Sequence, residues 1–390
     1  MLRRKPSLQV SFFALGYSLA FGAPLLAEPY SVVEIPAPLV HAAALNLRGD
    51  VVGDAGPGTA LHFSGAFMYR HGSREVTELP CQGTGCSAYA VGIDEAGDVI
   101  GTNYAQETRL TAIIWIATGG ATVFSNTFFS TGSGLNNHGQ AVLTTTEFPH
   151  GQQIGLVSDL LDQSLLDLIP LLQCGVGFCD AESAGHAIND RGHAVGWSFW
   201  GARPPPPSDP GAGQERSGIH AALWINGQPT DLGALGDKTY SSANGVNDFD
   251  EVVGSSTLGP ASHAFLYRNG EMRDLGNLAG DPSLNSEADG INDRGEIVGW
   301  SDVRLAHDSS IAQRAFVARG DRMSNLTLLI GRHSPLRGKV VLTEAVAINC
   351  DGWIAANGYD VATRAVHAYL LTPREAHRRE CSLPHRLHRE

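Results

Sequence analysis

A short aliphatic run into Asn-x-x-Gly recurs seven times along this chain. The copies are Leu45-Asn46 to Gly49, Ile93-Asp94 to Gly97, Leu135-Asn136 to Gly139 and Ile188-Asn189 to Gly192, followed by Val246-Asn247, Ile291-Asn292 to Gly295 and Ile348-Asn349 to Gly352. Successive copies lie 48, 42, 53, 58, 45 and 57 residues apart. That period is the size of a propeller blade and too irregular for a tight solenoid.

Aligning the copies reveals four short apolar segments in each. The first ends at the aliphatic residue before Asn, as in Ala288 to Ile291, and the second follows the Gly, as in Glu296 to Gly299. The third is His263 to Tyr267, echoed by His220 to Trp224, Gly65 to Tyr69, Thr111 to Trp115 and His367 to Leu371. The fourth is Met272 to Gly276, matched by Pro229 to Gly233 and Val76 to Pro80. Short, apolar and aromatic segments bounded by turn residues predict strands. Asn opening a type I turn bonds its own backbone two residues on, and Gly at the fourth position accepts the left-handed conformation, so segments one and two should form a tight hairpin. Asp94 replaces Asn, Asp250 replaces Gly, and copies three and seven carry Leu143 and Ala356 in place of a later Gly. The positions two and four before the Asn are always Gly or Ala, which suits strands crowded around an axis.

The pattern predicts an all-β fold, a seven-bladed β-propeller of four-stranded antiparallel blades. The seventh copy has no fourth strand, while an orphan segment, Tyr30 to Pro36, precedes the first copy. The N-terminal strand should therefore complete the last blade. An open β-solenoid is the alternative, but it does not predict this complementary deficit.

These residues resemble the HAF-repeat family of extracellular bacterial proteins, named for the tripeptide seen at His263 to Phe265. The usual repeat of that family runs Ala-x-Gly-Ile-Asn, Val-Val-Gly, His-Ala-Phe-Leu-Trp and Asp-Leu-Gly. Copies four to six come closest to it, and the likeness spans residues ~40–371, strongest in copies five and six. The resemblance implies a secreted repeat protein and supplies no catalytic residues.

The ends of the chain add a compartment. Arg3, Arg4 and Lys5 precede an apolar stretch from Val10 to Leu26, the form of a secretory signal over residues 1–27 with cleavage after Gly22 or Ala27. A retained anchor is the alternative, weakened by Pro24, Gly16 and Gly22. Residues 28–372 then form one propeller domain and 373–390 a basic tail. The net charge of −13 argues against binding nucleic acid, and no other stretch is apolar enough to span a membrane. A monomer is expected.

Six cysteines behind an export signal predict disulfides. Local pairs Cys81–Cys86 and Cys174–Cys179 are the simplest choice, leaving Cys350 with Cys381. Zinc is the rival, but the spacing is Cys-x4-Cys and no Cys-x-x-Cys pair occurs.

Candidate chemistry follows from topology. With the first strand innermost, the Asn-x-x-Gly hairpins and the turns between strands three and four share one face. The connections on the other face vary widely: Ser198 to Gly218 with Pro204 to Pro207, Asp302 to Gln313, both Cys loops, and Gly331 to Thr343. Variable loops on a rigid scaffold point to binding there, of a protein or a glycan. Polar residues near the start of the inner strands should ring the channel mouth on that face: Tyr89, Ser133, His186, Asn244, Glu287, Asp289 and Glu344. The three acids come from adjacent blades and present hard oxygens to a cation. The alternative function is a hydrolase or lyase at the channel mouth, with these carboxylates and His186 as acid and base. His220, His263 and His367 share one repeat position and should bond to backbone at strand ends. No linear catalytic, phosphate-binding or metal motif occurs, and no cofactor is expected.

Overall fold

The computed structural model describes residues 30–37, 40–55, 65–106, 109–124, 129–146, 153–160, 164–171, 182–200, 218–236, 240–306 and 308–374. Seven four-stranded antiparallel sheets form a β-propeller. Blade 1 holds β2 (Val40–Leu45), β3 (Val51–Ala55), β4 (Gly65–Arg70) and β5 (Glu75–Leu79). Blade 2 holds β6 (Ser87–Ile93), β7 (Val99–Ala105), β8 (Arg109–Trp115) and β9 (Ala121–Val123). Blade 3 holds β10 (Ser130–Leu135), β11 (Gln140–Thr146), β12 (Gln153–Asp159) and β13 (Leu165–Asp167). Blade 4 holds β14 (Ser183–Ile188), β15 (Ala194–Trp200), β16 (Gly218–Ile225) and β17 (Gln228–Asp231).

Blade 5 runs through β18 (Ser241–Val246), β19 (Val252–Leu258), β20 (Ala261–Arg268) and β21 (Glu271–Gly276). Blade 6 runs through β22 (Ser286–Ile291), β23 (Glu296–Arg304), β24 (Ile311–Arg319) and β25 (Arg322–Asn325). Blade 7 holds β26 (Val340–Ile348), β27 (Ile354–Asp360) and β28 (Val366–Pro373), and its fourth strand is β1 (Tyr30–Glu34).

The closure expected from the two chain ends is therefore present. β1 pairs antiparallel with β28 from Tyr30 opposite Pro373 to Glu34 opposite Tyr369. Tyr30 is fully buried, accepts a 2.7 Å hydrogen bond from Arg319 at its hydroxyl, and receives Gly331 N–H at its carbonyl. The first strands of neighbouring blades touch in an unbroken circle, β26 against β2 included. Asn357 of β27 seals that last joint, accepting from Ala42 N–H at 2.8 Å and donating to the Ala42 carbonyl at 3.1 Å.

The core lies between blades rather than within them. Seven apolar clusters each draw on two neighbouring blades, as when Val195 and Leu223 of blade 4 meet Ala243 and Phe265 of blade 5. Burial of each large side chain, Phe265 or Phe316 for example, contributes about 2–3 kcal/mol. The fourth strands face outward, and all three residues of β13 are exposed.

Every inner strand carries a β-bulge three residues before the Asn position, at Ala43, Val91, Ser133, His186, Asn244, Asp289 and Val346. The bulge explains the glycine of strand two. A Cβ on Gly299 would lie 2.0 Å from the Glu287 carbonyl oxygen. Blade 7 has a second bulge between Leu342 and Glu344, and its crowded glycine moves to Gly358, 2.3 Å from the Val341 carbonyl by the same measure. The glycine missing at Ala356 is thus displaced along the strand.

The repeated turns do more than reverse the chain. Each Asn accepts from backbone N–H groups of its own turn: Asn247 Oδ1 takes Phe249 N–H and Glu251 N–H, both at 3.0 Å. Its amide nitrogen reaches the next blade. Asn46 donates to the Asp94 carbonyl, Asn136 to Asn189, Asn189 to Asn247, Asn247 to Asn292, Asn292 to Asn349, and Asn349 back to Asn46, at 2.9–3.2 Å. Only Asp94, which lacks an amide, fails to donate onward among these seven positions. A second circuit runs one residue along: Leu47, Glu95, Asn137, Asp190 and Asp248 each donate a backbone N–H to the side chain of the next member, ending at Asp293.

The Cys81–Cys86 disulfide forms as expected, with Cα atoms 5.8 Å apart, in the loop between β5 and β6. Cys350 is also disulfide-bonded. The Cys174–Cys179 pair, Cys381 and the signal segment lie outside the described residues. Among the described residues no helix is long and apolar enough to cross a membrane.

Candidate functional site

The inner strands run from the long-loop face toward the Asn turns, so a residue's place along its strand sets its depth. Glu287 is the second residue of β22 and lies toward the long-loop face. Ser133, His186, Asn244 and Asp289 sit at the bulges, farther along their strands. The sequence placed all seven candidates at the mouth; the register carries these four deeper into the channel.

Five of the seven form a continuous arc across blades 4 to 7. His186 Nδ1 lies 2.9 Å from the Ala243 carbonyl of the next inner strand. Asn244 donates to Glu287 Oε1 at 2.7 Å and to the Ala288 carbonyl at 3.1 Å. Glu344 accepts from Asn357 Nδ2 at 3.2 Å. Asp289 shares β22 with Glu287, and Glu344 stands on β26 of the next blade. Its Oδ2 is shielded from solvent and has no hydrogen-bond partner. Tyr89 and Ser133 belong to blades 2 and 3 and stand outside this arc.

The arc is electrostatically strained. Burial pushes the Asp289 carboxyl well above the ordinary carboxylate range, and the charges of Glu344 and Glu287 push it further. Burial also raises Glu287, against the Asn244 hydrogen bond that lowers it, and Glu344 adds repulsion. His186 is held below its usual value by burial, opposed by hydrogen bonds to the Ala243 carbonyl and Asn244. No Lys or Arg among the described residues pairs with these three acids. Nor does any group of three His, Cys, Asp or Glu among those residues gather to hold one metal ion.

The repeat histidines have a different role from the one expected. They bond to carboxylates rather than backbone: His220 Nδ1 lies 2.8 Å from Asp231, and His263 Nδ1 lies 3.1 Å from Asp274. The aspartates come from the Asp-Leu-Gly of strand four, so in blades 4 and 5 the third and fourth segments form one crosslink. In blade 7 the acid is Glu34 of β1, 3.3 Å from His367. The N-terminal strand therefore reproduces the charge pattern of the strand it replaces.

Sequence reasoning missed a cavity on the opposite face. It measures about 630 Å³ and opens between the turns of blades 5 and 6, lined by Phe249, Asp250, Glu251, Arg268, Asn269 and Arg294 among others. Phe249 is 65% exposed there, an aromatic at the turn position that holds Arg48, Ala96, His138, Arg191, Arg294 and Asp351 in the other copies. Arg268 pairs with Glu251 at 2.5 Å, and Arg294 with Glu296. The departure at Asp250 is explained nearby. It adopts φ 61°, where other copies use Gly, and its carboxylate takes His193 Nδ1 and Arg191 Nη1 of blade 4, both at 2.7 Å.

No protein-family model and no curated protein matches the chain. Among solved structures, it is similar to the β-propeller domain of the Trilobed protease from Pyrococcus furiosus, with 10% identity and a TM-score of 0.53 over 85% of this chain and 95% of that one. It also matches TolB from Acinetobacter baumannii, with 11% identity and a TM-score of 0.40 over 89% of this chain and 81% of that one. The Pyrococcus domain is described as having an open velcro topology, whereas the pairing of β1 with β28 closes the ring here. The likeness establishes one thing, that this chain is a β-propeller.

Proposed function

We propose that the protein is a secreted binding propeller that holds a protein or glycan ligand on the face carrying its long connections. One observation carries this reading. The turns after strands one and three are short in every blade, such as Asn226-Gly227 and Asn269-Gly270, whereas the other face bears the connections from Trp200 to Gly218, from Asn325 to Val340 and from Asp167 to Ser183. A rigid ring with variable loops on one side is the arrangement that evolves recognition without disturbing the fold. The disulfide at Cys81 stiffens one of these loops, where Gln82 and Asn103 also exchange hydrogen bonds at 2.8 and 3.0 Å. The leader over residues 1–27 and the resemblance to extracellular HAF-repeat proteins support secretion.

The test is a glycan array and a pull-down with residues 28–390. Replacing residues 201–217 with a Gly-Ser linker is expected to abolish capture, and Asn269→Ala on the turn face to leave it intact. The opposite pattern would place recognition on the turn face and refute the proposal. A second reading, a hydrolase or lyase at the channel, draws on the raised Asp289 carboxyl beside two other acids, since such a group retains a proton for acid catalysis nearer neutral pH. Turnover of a chromogenic glycoside or ester, lost in Asp289→Asn, would establish it.

A further inference from the structure

Four Asn-Gly steps occur in the chain, at Asn226, Asn244, Asn269 and Asn357. With no Cβ beside it, the glycine nitrogen can approach the preceding side-chain amide. Two of the steps are held shut. Asn244 Nδ2 donates to Glu287 and to the Ala288 carbonyl, and Asn357 both accepts from and donates to Ala42. Their glycines lie inside β18 and β27. A Cβ on Gly245 would sit 3.2 Å from the Asp289 carbonyl oxygen, and one on Gly358 2.3 Å from that of Val341. The other two steps are two-residue hairpin turns with positive φ at both positions, 51° and 75° at Asn226-Gly227, 54° and 83° at Asn269-Gly270. They differ in what surrounds the glycine. Gly227 is buried, its carbonyl accepts Ile169 N–H at 3.1 Å, and a Cβ there would lie 2.6 Å from the Asp167 carbonyl oxygen. Asn269 and Gly270 are both exposed, and nothing lies within 4 Å of where a Cβ on Gly270 would stand.

We propose that Asn269 is a site of spontaneous covalent modification, deamidating through a cyclic imide formed with Gly270. The Gly270 nitrogen bonds to Asn269 Cγ as the Cγ–Nδ2 bond breaks. The side-chain nitrogen takes the proton that Gly270 gives up and leaves as ammonia. Water then opens the imide: its hydroxyl joins a carbonyl carbon and its proton returns to the Gly270 nitrogen. Cleavage of the bond to Cγ gives aspartate. Cleavage of the bond to the main-chain carbonyl carbon gives isoaspartate, with the chain routed through the side chain. The attack requires rotation about the Asn269 Cα–C bond, which opens the turn. The pairing of Arg268 with Glu271 closes the ladder just outside it, so the movement is confined to the turn, and exposed turns open at low free-energy cost. Asn269 also lines the turn-face cavity together with Arg268. Either product therefore adds a negative charge to the rim of that cavity, and isoaspartate also lengthens the backbone of the turn. The inference is independent of the binding face proposed above.

Incubation of the purified protein at mildly alkaline pH, followed by mass-spectrometric peptide mapping and isoaspartate-specific methylation, tests the assignment. Asn269 should convert to a mixture of aspartate and isoaspartate at least about tenfold faster than Asn226, Asn244 or Asn357 while the fold is intact, because the other three need costlier opening. In urea all four should react at similar rates, since each then presents the same Asn-Gly sequence to solvent. Asn269→Gln should remove the fast-forming acidic species seen on ion exchange and leave the slow ones unchanged. The parent mapped folded and in urea carries the test without any substitution. Conversion of another Asn-Gly step ahead of Asn269 in the folded protein overturns the inference. So does a product free of isoaspartate, which would bypass the imide. A lead for Asn269 that persists undiminished in urea also overturns it, because the structure would then have no part in the selection. None of these results bears on capture by the long-loop face, which the array and pull-down read separately.

Discussion

Asp94→Asn should stabilise the protein, because it supplies the one donor missing from the circle of turn asparagines. Asp94 already accepts Gly97 N–H and Asp98 N–H, each at 2.8 Å, and an amide oxygen makes the same contacts. Its new NH₂ group would face the Asn136 carbonyl, as Asn136 faces that of Asn189 at 2.9 Å. One added hydrogen bond contributes about 0.5–1.5 kcal/mol net. Burial, with repulsion from Asp98, also raises the Asp94 carboxyl above its ordinary value against several backbone hydrogen bonds, so losing the charge adds to the gain. For a propeller of this size the unfolding entropy is on the order of 0.7 kcal/mol per degree, and a gain of ~1.5 kcal/mol raises Tm by about 2 °C. The pH dependence has a definite sign. A carboxyl raised on folding binds its proton more tightly in the folded state, so the parent's handicap is full above that raised value. It fades as pH falls toward the unfolded value near ~3.9, where protonated Asp94 also becomes a donor. Differential scanning calorimetry of the parent and variant at pH 8, 6 and 4 tests both parts. An unchanged or lower Tm at pH 8, or a gap of equal size at pH 4, would refute the reasoning.

Three further outcomes are expected. Removing residues 28–37 deletes the fourth strand of blade 7 and exposes β28 as an edge; Tm should fall sharply in a thermal melt, and an unchanged Tm would contradict closure by β1. Gly299→Ala drives a methyl group into the Glu287 carbonyl and should cost upward of ~2 kcal/mol in urea unfolding, far more than alanine at the solvent-exposed Gly270, where nothing lies nearby but φ is 83°. Asp250→Gly relieves about 1 kcal/mol of backbone strain but severs the contacts to His193 and Arg191; a net loss of about 1–2 kcal/mol is expected, and a stabilised variant would show that the inter-blade contact contributes nothing.

Much of the fold was legible because the repeat exposes its own boundaries. Turn chemistry at Asn-x-x-Gly, strand-length apolar runs and the missing fourth strand of copy seven are local signals, and they specify blade number, strand order and closure. The small residues before each Asn read correctly as crowding: a Cβ on Gly134 would lie 3.2 Å from the His186 carbonyl of the next inner strand. What could not be read was contact between blades. The amide of Asn247 serves its own turn and the next one, but only the second partner requires the ring. The pairing of His263 with Asp274 was legible in principle, since both recur at fixed spacing in copies four and five, yet neither residue alone names the other. The acidic arc was guessed from blade adjacency; the hydrogen bonds that orient Glu287 and leave Asp289 without one depend on the bulges, which leave no mark in the hydrophobic pattern beyond the small residues on either side. The turn-face cavity was invisible because its lining comes from three turns in two blades.

The position of β1 also dictates an order of events. Its partner β28 lies more than three hundred residues away along the chain, so the first strand to be made is the last to find its place. Until β28 exists, Tyr30 has no pocket and the apolar layers on both sides of blade 7 are open to solvent. Contacts of such long range are entropically slow to form. Six blades can stack as they emerge, but the circle remains a curved and extensible row until the two ends of the chain meet. Closure then acts as a checkpoint on synthesis: a chain truncated before β28 leaves unpaired edges on β1 and β27 together, and is marked for aggregation or proteolysis however well its other blades have folded.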